Sequence, residues 1–271
     1  MWYTRIKKYQ GEGAPMLLAV DVGNTNIHVG LFEDGCLAHT LCIATEPHRT
    51  TDEYALLLRL LLEEKGIVPS VIDGIVLASV VPSVTEWIGT ALKKLLSLPI
   101  LTVGPGIKTG FPIRVNDPAE LGADLVANAA GALVKVGAPA IIVDCGTATT
   151  VIAVDEKGAL QGGCIRPGIQ MSLNALHSAE LLPGLSAEDT VSPLGKNTAD
   201  CMRAGVIRGE ALAVSGLAEQ YRKMLSLPAG TALAVTGGLA ERLLPYLPKS
   251  TVHVPDLTLY GLSAIYRLNQ K

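Results

Sequence analysis

Two stretches decide how this chain is read: LAVDVGNTNIHVGLFEDGCL, residues 18–37, and IIVDCGTATTVIAVDEKGAL, residues 141–160. They align without a gap at one constant step, the step from 21 to 144. It sets Asp21 on Asp144, Gly23 on Gly146, Glu33 on Glu156, Gly35 on Gly158 and Leu37 on Leu160. Each copy reads as a buried strand ending in Asp-x-Gly, a polar turn, a second strand, and a turn that carries an acid and a glycine. A segment used twice at a fixed step is the mark of a duplicated unit.

The chain around each copy follows one plan. After the first, Thr50-Thr51-Asp52-Glu53 has the form of a capping box for a helix through Leu62 that stops near Gly66. GIVLASVV at 74–81 is a buried strand, and Ser83 to Glu86 reads as a second capping box, opening a helix through Leu96. PILTVG at 99–104 is again a strand. Asp117 before Pro118 supplies an N-cap and a first-position proline for a helix running toward Lys135. In the second half, residues 158–165 complete a three-stranded meander. Helices are expected near 168–179, 197–225, 239–246 and 256–268, with strands near 231–236 and 251–254. The expected class is α/β: two duplicated domains, 16–137 and 138–271, each a mixed sheet flanked by helices, with a ligand cleft between them.

Composition narrows the function classes. Apolar residues make up 49% and charged residues 17% of 271, so the chain can bury a large core. A net charge of −3 gives no attraction to nucleic acid or an anionic membrane. Five cysteines, at 36, 42, 145, 164 and 201, form no CxxC spacing, and a reducing cytoplasm suits them. His28, His39, His48, His177 and His253 lack metal-ligand spacing. Residues 1–15 carry Arg5, Lys7 and Lys8 without the apolar run of a signal peptide, and are expected to be a disordered extension.

The Asp-x-Gly turns suggest phosphate chemistry. In Asp21-Val22-Gly23-Asn24-Thr25-Asn26, Gly23 allows close backbone approach or a positive φ, and successive turn amides can form an anion-binding nest. Asp21 would repel phosphate directly, so its useful role is to hold Mg²⁺ through water. The second copy offers backbone donors and three hydroxyls, Thr147, Thr149 and Thr150. Thr236-Gly237-Gly238, between a strand and a helix, could let a flat adenine or ribose lie against backbone, or could be a tight turn alone. There is no GxxxxGK[ST] loop and no Rossmann glycine fingerprint after a leading strand.

With DVGNTN, SVVPS, GPGIKTG, NDPAELGAD, DCGTATT, GGCIRPGI, LLPG, GKNT and TGG in this order, the chain from Met16 to about Leu268 resembles the type III pantothenate kinases. These belong to the acetate and sugar kinase/Hsp70/actin superfamily, of ribonuclease H-like, actin-like ATPase domains. The resemblance implies ATP-dependent phosphorylation of pantothenate to 4'-phosphopantothenate, the first step toward coenzyme A, in a homodimer that needs Mg²⁺ and a monovalent cation, K⁺ or NH₄⁺. It implies that Asp21, Val22, Gly23, Asn24, Thr25, Asn26, Ile27 and His28 handle ATP, joined by Thr147, and that Asp144 binds the monovalent cation. Gly122, Ala123, Asp124 and Leu125 then form the pantothenate-binding turn, Asp124 is the general base, and Thr198 contacts the substrate. An ionised carboxylate there can orient the attacking hydroxyl by accepting its proton.

One residue departs from the family pattern. The turn usually reads Gly-Ala-Asp-Arg, and here Leu125 replaces the arginine whose planar fork suits a substrate carboxylate. Losing such a contact costs on the order of 2–4 kcal/mol. Val115 stands where many relatives carry a tyrosine. Arg166 or Arg114 is a candidate for the missing charge, against the plainer reading of surface arginines. Restoring arginine at 125 is expected to raise activity. Two alternatives stay open: a relative that binds nucleotide but senses or regulates, and a kinase for another small hydroxy substrate.

Overall fold

A computed structural model describes residues 15–178, 182–187 and 191–270. All but the last residue of the expected extension, and the expected helix end at 179, lie outside this set. The chain divides into two compact units, one up to Val103 and one from Gly104.

The first unit opens with strands β1 (Met16–Val22), β2 (Asn26–Glu33) and β3 (Cys36–Ala44), then helix α1 (Thr51–Glu64), strand β4 (Ile72–Ser79), helix α2 (Pro82–Leu96) and strand β5 (Ile100–Thr102). Its sheet runs β3-β2-β1-β4-β5. β1 pairs antiparallel with β2 but parallel with β4. Leu18, Val20 and Val22 alternate along β1 and enter one apolar cluster with Tyr54, Leu58 and Leu62 of α1 and Val84, Ile88 and Leu92 of α2. That is the period of a strand meeting the period of two helices.

The second unit repeats this plan. It contains α3 (Ala123–Lys135), β6 (Ala140–Cys145), β7 (Ala148–Val154), β8 (Leu160–Pro167), α4 (Ile169–His177), α5 (Thr198–Arg203), α6 (Gly209–Met224), β9 (Ala232–Thr236), α7 (Ala240–Leu243), β10 (Val252–His253) and α8 (Leu257–Asn269). The sheet order β10-β9-β6-β7-β8 is the first order read backwards, with β6 in the place of β1. Each sheet is a ribonuclease H-like sheet of three antiparallel strands followed by two parallel ones. The register sharpens the duplication. Asp21 lies opposite His28 and Asp144 opposite Thr150, so the β2/β7 match runs one residue off the ungapped alignment. The second hairpin is one residue shorter at its first turn and one longer at the next. The same irregularity recurs at matched places, between Leu31 and Phe32 and between Ala153 and Val154.

β6 is buried on both faces, which explains its near-continuous apolar run. Ile141, Val143 and Cys145 face a cluster that includes Leu173, Ile207 and Val214. Ala140 and Ile142 face the other, with Leu125, Ala129 and Leu257 from α3 and α8. Those two helices approach to backbone contact: a Cβ on Gly131 would strike the Leu257 carbonyl, and one on Gly261 the Ala127 carbonyl.

Helix starts show where local signals compete. The Thr50 capping box forms, with Thr50 Oγ1 accepting from the Glu53 amide and the Thr50 amide donating to Glu53. The box expected at Ser83–Glu86 does not. Pro82, whose ring pre-sets the first helical φ, starts α2 two residues earlier, without a side-chain cap on Val81. The helix expected from Pro118 is also broken. Asp117 caps only a single 3₁₀ turn, Pro118–Glu120, accepting from the Ala119 amide at 2.9 Å. Leu121 and Gly122 are extended, and the helix restarts at Ala123. The helix expected at 197–225 runs through a π turn at Ala204–Arg208.

The compact units divide ahead of the boundary drawn from the duplication, because α3 packs on β6 and α8 and so belongs with the second copy.

Candidate active site

The break before Ala123 sets the site. It puts Asp124 in the first turn of α3, where the helix dipole and free amides favour a negative charge. Its Oδ1 accepts from the Leu125 amide at 2.8 Å. A side chain on Gly122 would crowd that carboxylate and displace it from this position. Burial raises the Asp124 carboxyl above the usual aspartate range, against the lowering effect of the amide bonds. Asp124 is half-buried.

Asp144 is the penultimate residue of β6, on the face that carries Ala140 and Ile142, which is the face of α3 and α8. Burial pushes its carboxyl up to about 6, a bond from Asn128 opposes this, and the nearby Asp124 charge adds to it. Asn128 Nδ2 donates to Asp144 Oδ2 at 2.8 Å, and Thr258 Oγ1 donates to Asn128 Oδ1 at 2.7 Å. Asp144 Oδ1 faces the backbone of Gly237, where a Cβ would strike it, and lies 3.7 Å from where a Cβ on Gly146 would be. Gly237 itself has φ +94°, so this turn needs glycine twice over. Gly238 meets open space. Neither Asn128 nor Thr258 is a candidate from motif reading. The available signal is weaker: Asn128 lies four residues after Asp124, on the same helix face, as the polar exception in a buried run.

The structure gives Leu125 a purpose. It is 9% exposed and packs with Ala129, Ile142 and Leu257, so the side chain belongs to the core of this unit. Leu125→Arg therefore sets a new donor against a buried charge. The expected outcome is a higher kcat/KM for pantothenate together with a lower Tm, read by steady-state kinetics and a melting curve on the same protein.

Arg166 is already engaged. Its Nη2 and Nε reach Glu210 Oε2 at 2.9 and 3.2 Å, and Glu210 is 5% exposed. This ion pair holds the Arg166 pKa above its ordinary value. Arg166→Ala would strand a buried carboxylate, and is expected to cost roughly 3 kcal/mol in urea unfolding while the pantothenate KM stays unchanged. Arg114 is exposed, its amide bound to the Leu160 carbonyl at 2.8 Å, and Val115 lies beside Gly162.

In the first unit, Asp21 sits half-buried at the end of the buried strand β1, and Asn24, Thr25 and His28 are exposed. The turn is pinned by Gly23 N–H to the Asn26 carbonyl at 3.0 Å and by Thr45, whose hydroxyl donates to the Gly23 carbonyl at 2.7 Å. Gly23 serves close approach rather than a positive φ: its Cβ would lie 3.1 Å from the Asn26 carbonyl. Val22 and Ile27 are core residues, and Asn26 is half-buried at the start of β2. In the second turn only Thr147 is exposed. Thr149 and Thr150 are buried in β7, which corrects the expectation of three available hydroxyls. The Thr147 carbonyl accepts from Gly168, at the start of α4. Thr198 is exposed at the first position of α5, behind the N-cap Asn197. Cys145 is buried, with burial raising its thiol pKa, which suits packing and not nucleophilic attack.

Comparison with known proteins places the chain in a family. The family model for type III pantothenate kinase matches residues 17–220. Curated proteins of that name are similar over 94% of this chain: 42% identical in Moorella thermoacetica, over 100% of that protein, and 37% in Listeria monocytogenes, over 98%. Among solved structures, a conserved Baf family transcriptional activator from Campylobacter jejuni superposes with TM-score 0.60 at 19% identity, covering 93% of this chain and 98% of its own. A ROK hexokinase from Thermus thermophilus follows the same fold with TM-score 0.51 at 13% identity, covering 93% and 98%. Those two likenesses speak to fold alone, whereas the sequence matches extend through the Asp124 turn and both Asp-x-Gly hairpins: this chain belongs to the type III pantothenate kinase family.

Proposed function

We propose that this protein phosphorylates pantothenate with ATP to give 4'-phosphopantothenate, the first step of coenzyme A biosynthesis. The observation that carries the reading is Asp124, half-buried at the start of α3 inside the family's Gly-Ala-Asp turn. Asp124 accepts the proton of the pantothenate hydroxyl as that oxygen bonds to the γ-phosphorus, and the bond to the β–γ bridging oxygen breaks to release ADP. Gly122, Ala123 and Thr198 contact pantothenate in this reading, while the Leu125 side chain packs into the core. The turn Asp21–His28 and Thr147 contact ATP.

Two ions accompany the proposal. Among the described residues no three His, Cys, Asp or Glu side chains gather as a metal centre. Asp21 would hold Mg²⁺ through water, together with the phosphates, and the ion would neutralise their charge. Asp144, with one oxygen tied to Asn128 and the other over two glycines, fits K⁺ or NH₄⁺. We also propose a homodimer, tested by the mass in solution, and a cytoplasmic location. Among the described residues no helix is long and apolar enough to cross a membrane.

The test is a coupled ADP-release assay with ATP, Mg²⁺ and K⁺ or NH₄⁺, with and without pantothenate. ADP release that requires pantothenate supports the assignment. ATP binding without turnover would instead indicate a sensing or regulatory protein. Turnover of a different alcohol would move the assignment to another hydroxy substrate.

A further inference from the structure

We propose that Asn128 and Thr258 are positioning residues that decide which oxygen of Asp144 meets the monovalent cation; the inference rests on the cation role proposed for Asp144. The argument starts from donor and acceptor chemistry. An ionised carboxylate only accepts, so the Asn128 amide must turn Nδ2 toward Asp144 Oδ2, at 2.8 Å. Its Oδ1 then faces Thr258, whose hydroxyl donates at 2.7 Å. Asn128 is 1% exposed, so this bond is shielded from bulk water. Thr258 thereby sets the direction of the amide, and the amide sets the carboxylate.

The helix that carries Thr258 is held firmly. Gly131 and Gly261 let α3 and α8 meet backbone to backbone. Thr236, opposite Asp144 on β9, donates to the Pro255 carbonyl at 2.9 Å just before α8 begins. With Oδ2 held, Oδ1 is left over Gly146 and Gly237, neither of which brings a side chain. An oxygen from a carboxylate, framed by bare backbone, suits a large monovalent cation that sheds part of its water. Groups that orient a ligand in this way typically change metal affinity by roughly 10- to 100-fold when removed.

The experiment is Thr258→Val, which keeps the shape of threonine and removes the donor. Melting curves and steady-state kinetics are titrated with KCl or NH₄Cl, with NaCl holding ionic strength constant. In the wild type Tm and rate are expected to rise with the cation. In the variant both half-saturation points are expected to move up about tenfold, with the pantothenate KM within twofold, and Thr258→Ser restores both. Unchanged titration midpoints in Thr258→Val overturn the inference alone. A lower Tm with unchanged midpoints does the same, showing a merely structural role. A wild-type protein indifferent to K⁺ and NH₄⁺ in both readouts overturns the cation reading of Asp144, and this inference with it. If the valine protein does not fold, Thr258→Ala is read by the same criteria.

Discussion

Asp124→Asn is expected to reduce pantothenate-dependent ADP release by about 10²- to 10⁴-fold, the range for loss of a positioned general base. Asparagine keeps the size of the side chain and can still accept from the Leu125 amide, the bond that Asp124 Oδ1 makes at 2.8 Å. What it cannot do is take a proton. The loss should therefore appear in kcat, while the pantothenate KM and ATP affinity change only a few-fold. The pH profile gives a second check. Burial raises the Asp124 carboxyl, and a base works only when deprotonated. Activity is then expected to rise with pH, its acid limb lying above the pH at which an ordinary aspartate titrates. An asparagine variant that keeps more than a tenth of wild-type kcat would rule out proton transfer to Asp124.

Gly261→Ala is expected to destabilise the second unit by about 3 kcal/mol or more, the upper range for overpacking a core. The sign is the informative part. In an ordinary helix interior, alanine in place of glycine stabilises by about 1 kcal/mol. Here a Cβ would strike the Ala127 carbonyl and stand 2.8 Å from the Gly131 nitrogen, so α3 and α8 would have to separate. Both helices carry parts of the site, Asp124 and Asn128 on one and Thr258 on the other. Activity should accordingly fall even at temperatures where the variant remains folded. Urea unfolding measures the first effect and kinetics at low temperature the second. A Tm equal to or above wild type would show that the two helices separate without cost.

The duplicated Asp-x-Gly segments made the repeated plan legible, because a buried strand and a tight turn each leave a local trace in residue order. Individual helix starts were less legible. At Pro82 a first-position proline prevailed over the Ser83–Glu86 pattern, and at Asp117 a capping residue served one 3₁₀ turn instead of a long helix. Those are contests between neighbouring signals of similar strength, a kcal/mol or so each, decided by how the segment packs. The one-residue shifts in the second meander were hidden for a different reason. A shorter first turn and a longer second turn cancel, so the ungapped match survives while β7 moves by one residue against β2.

The candidate site divides in the same way. Asp21, Asp144 and the Gly122–Leu125 turn could be picked out as motifs because each acidic residue sits two positions from a glycine in a short turn. Arg166 could not be placed, since its partner Glu210 lies 44 residues away and nothing local announces the pair. Nor could Leu125, whose burial depends on residues from β6 and α8. The sequence by itself determined the family, the two-copy architecture and the position of the catalytic candidate. Only the tertiary structure decided that Leu125 packs inward, that Arg166 is held by Glu210, and that Asn128 and Thr258 converge on Asp144. Local order is written by short-range backbone preferences, but the orientation of a buried carboxylate is set by whichever distant donors the packed helices bring to it.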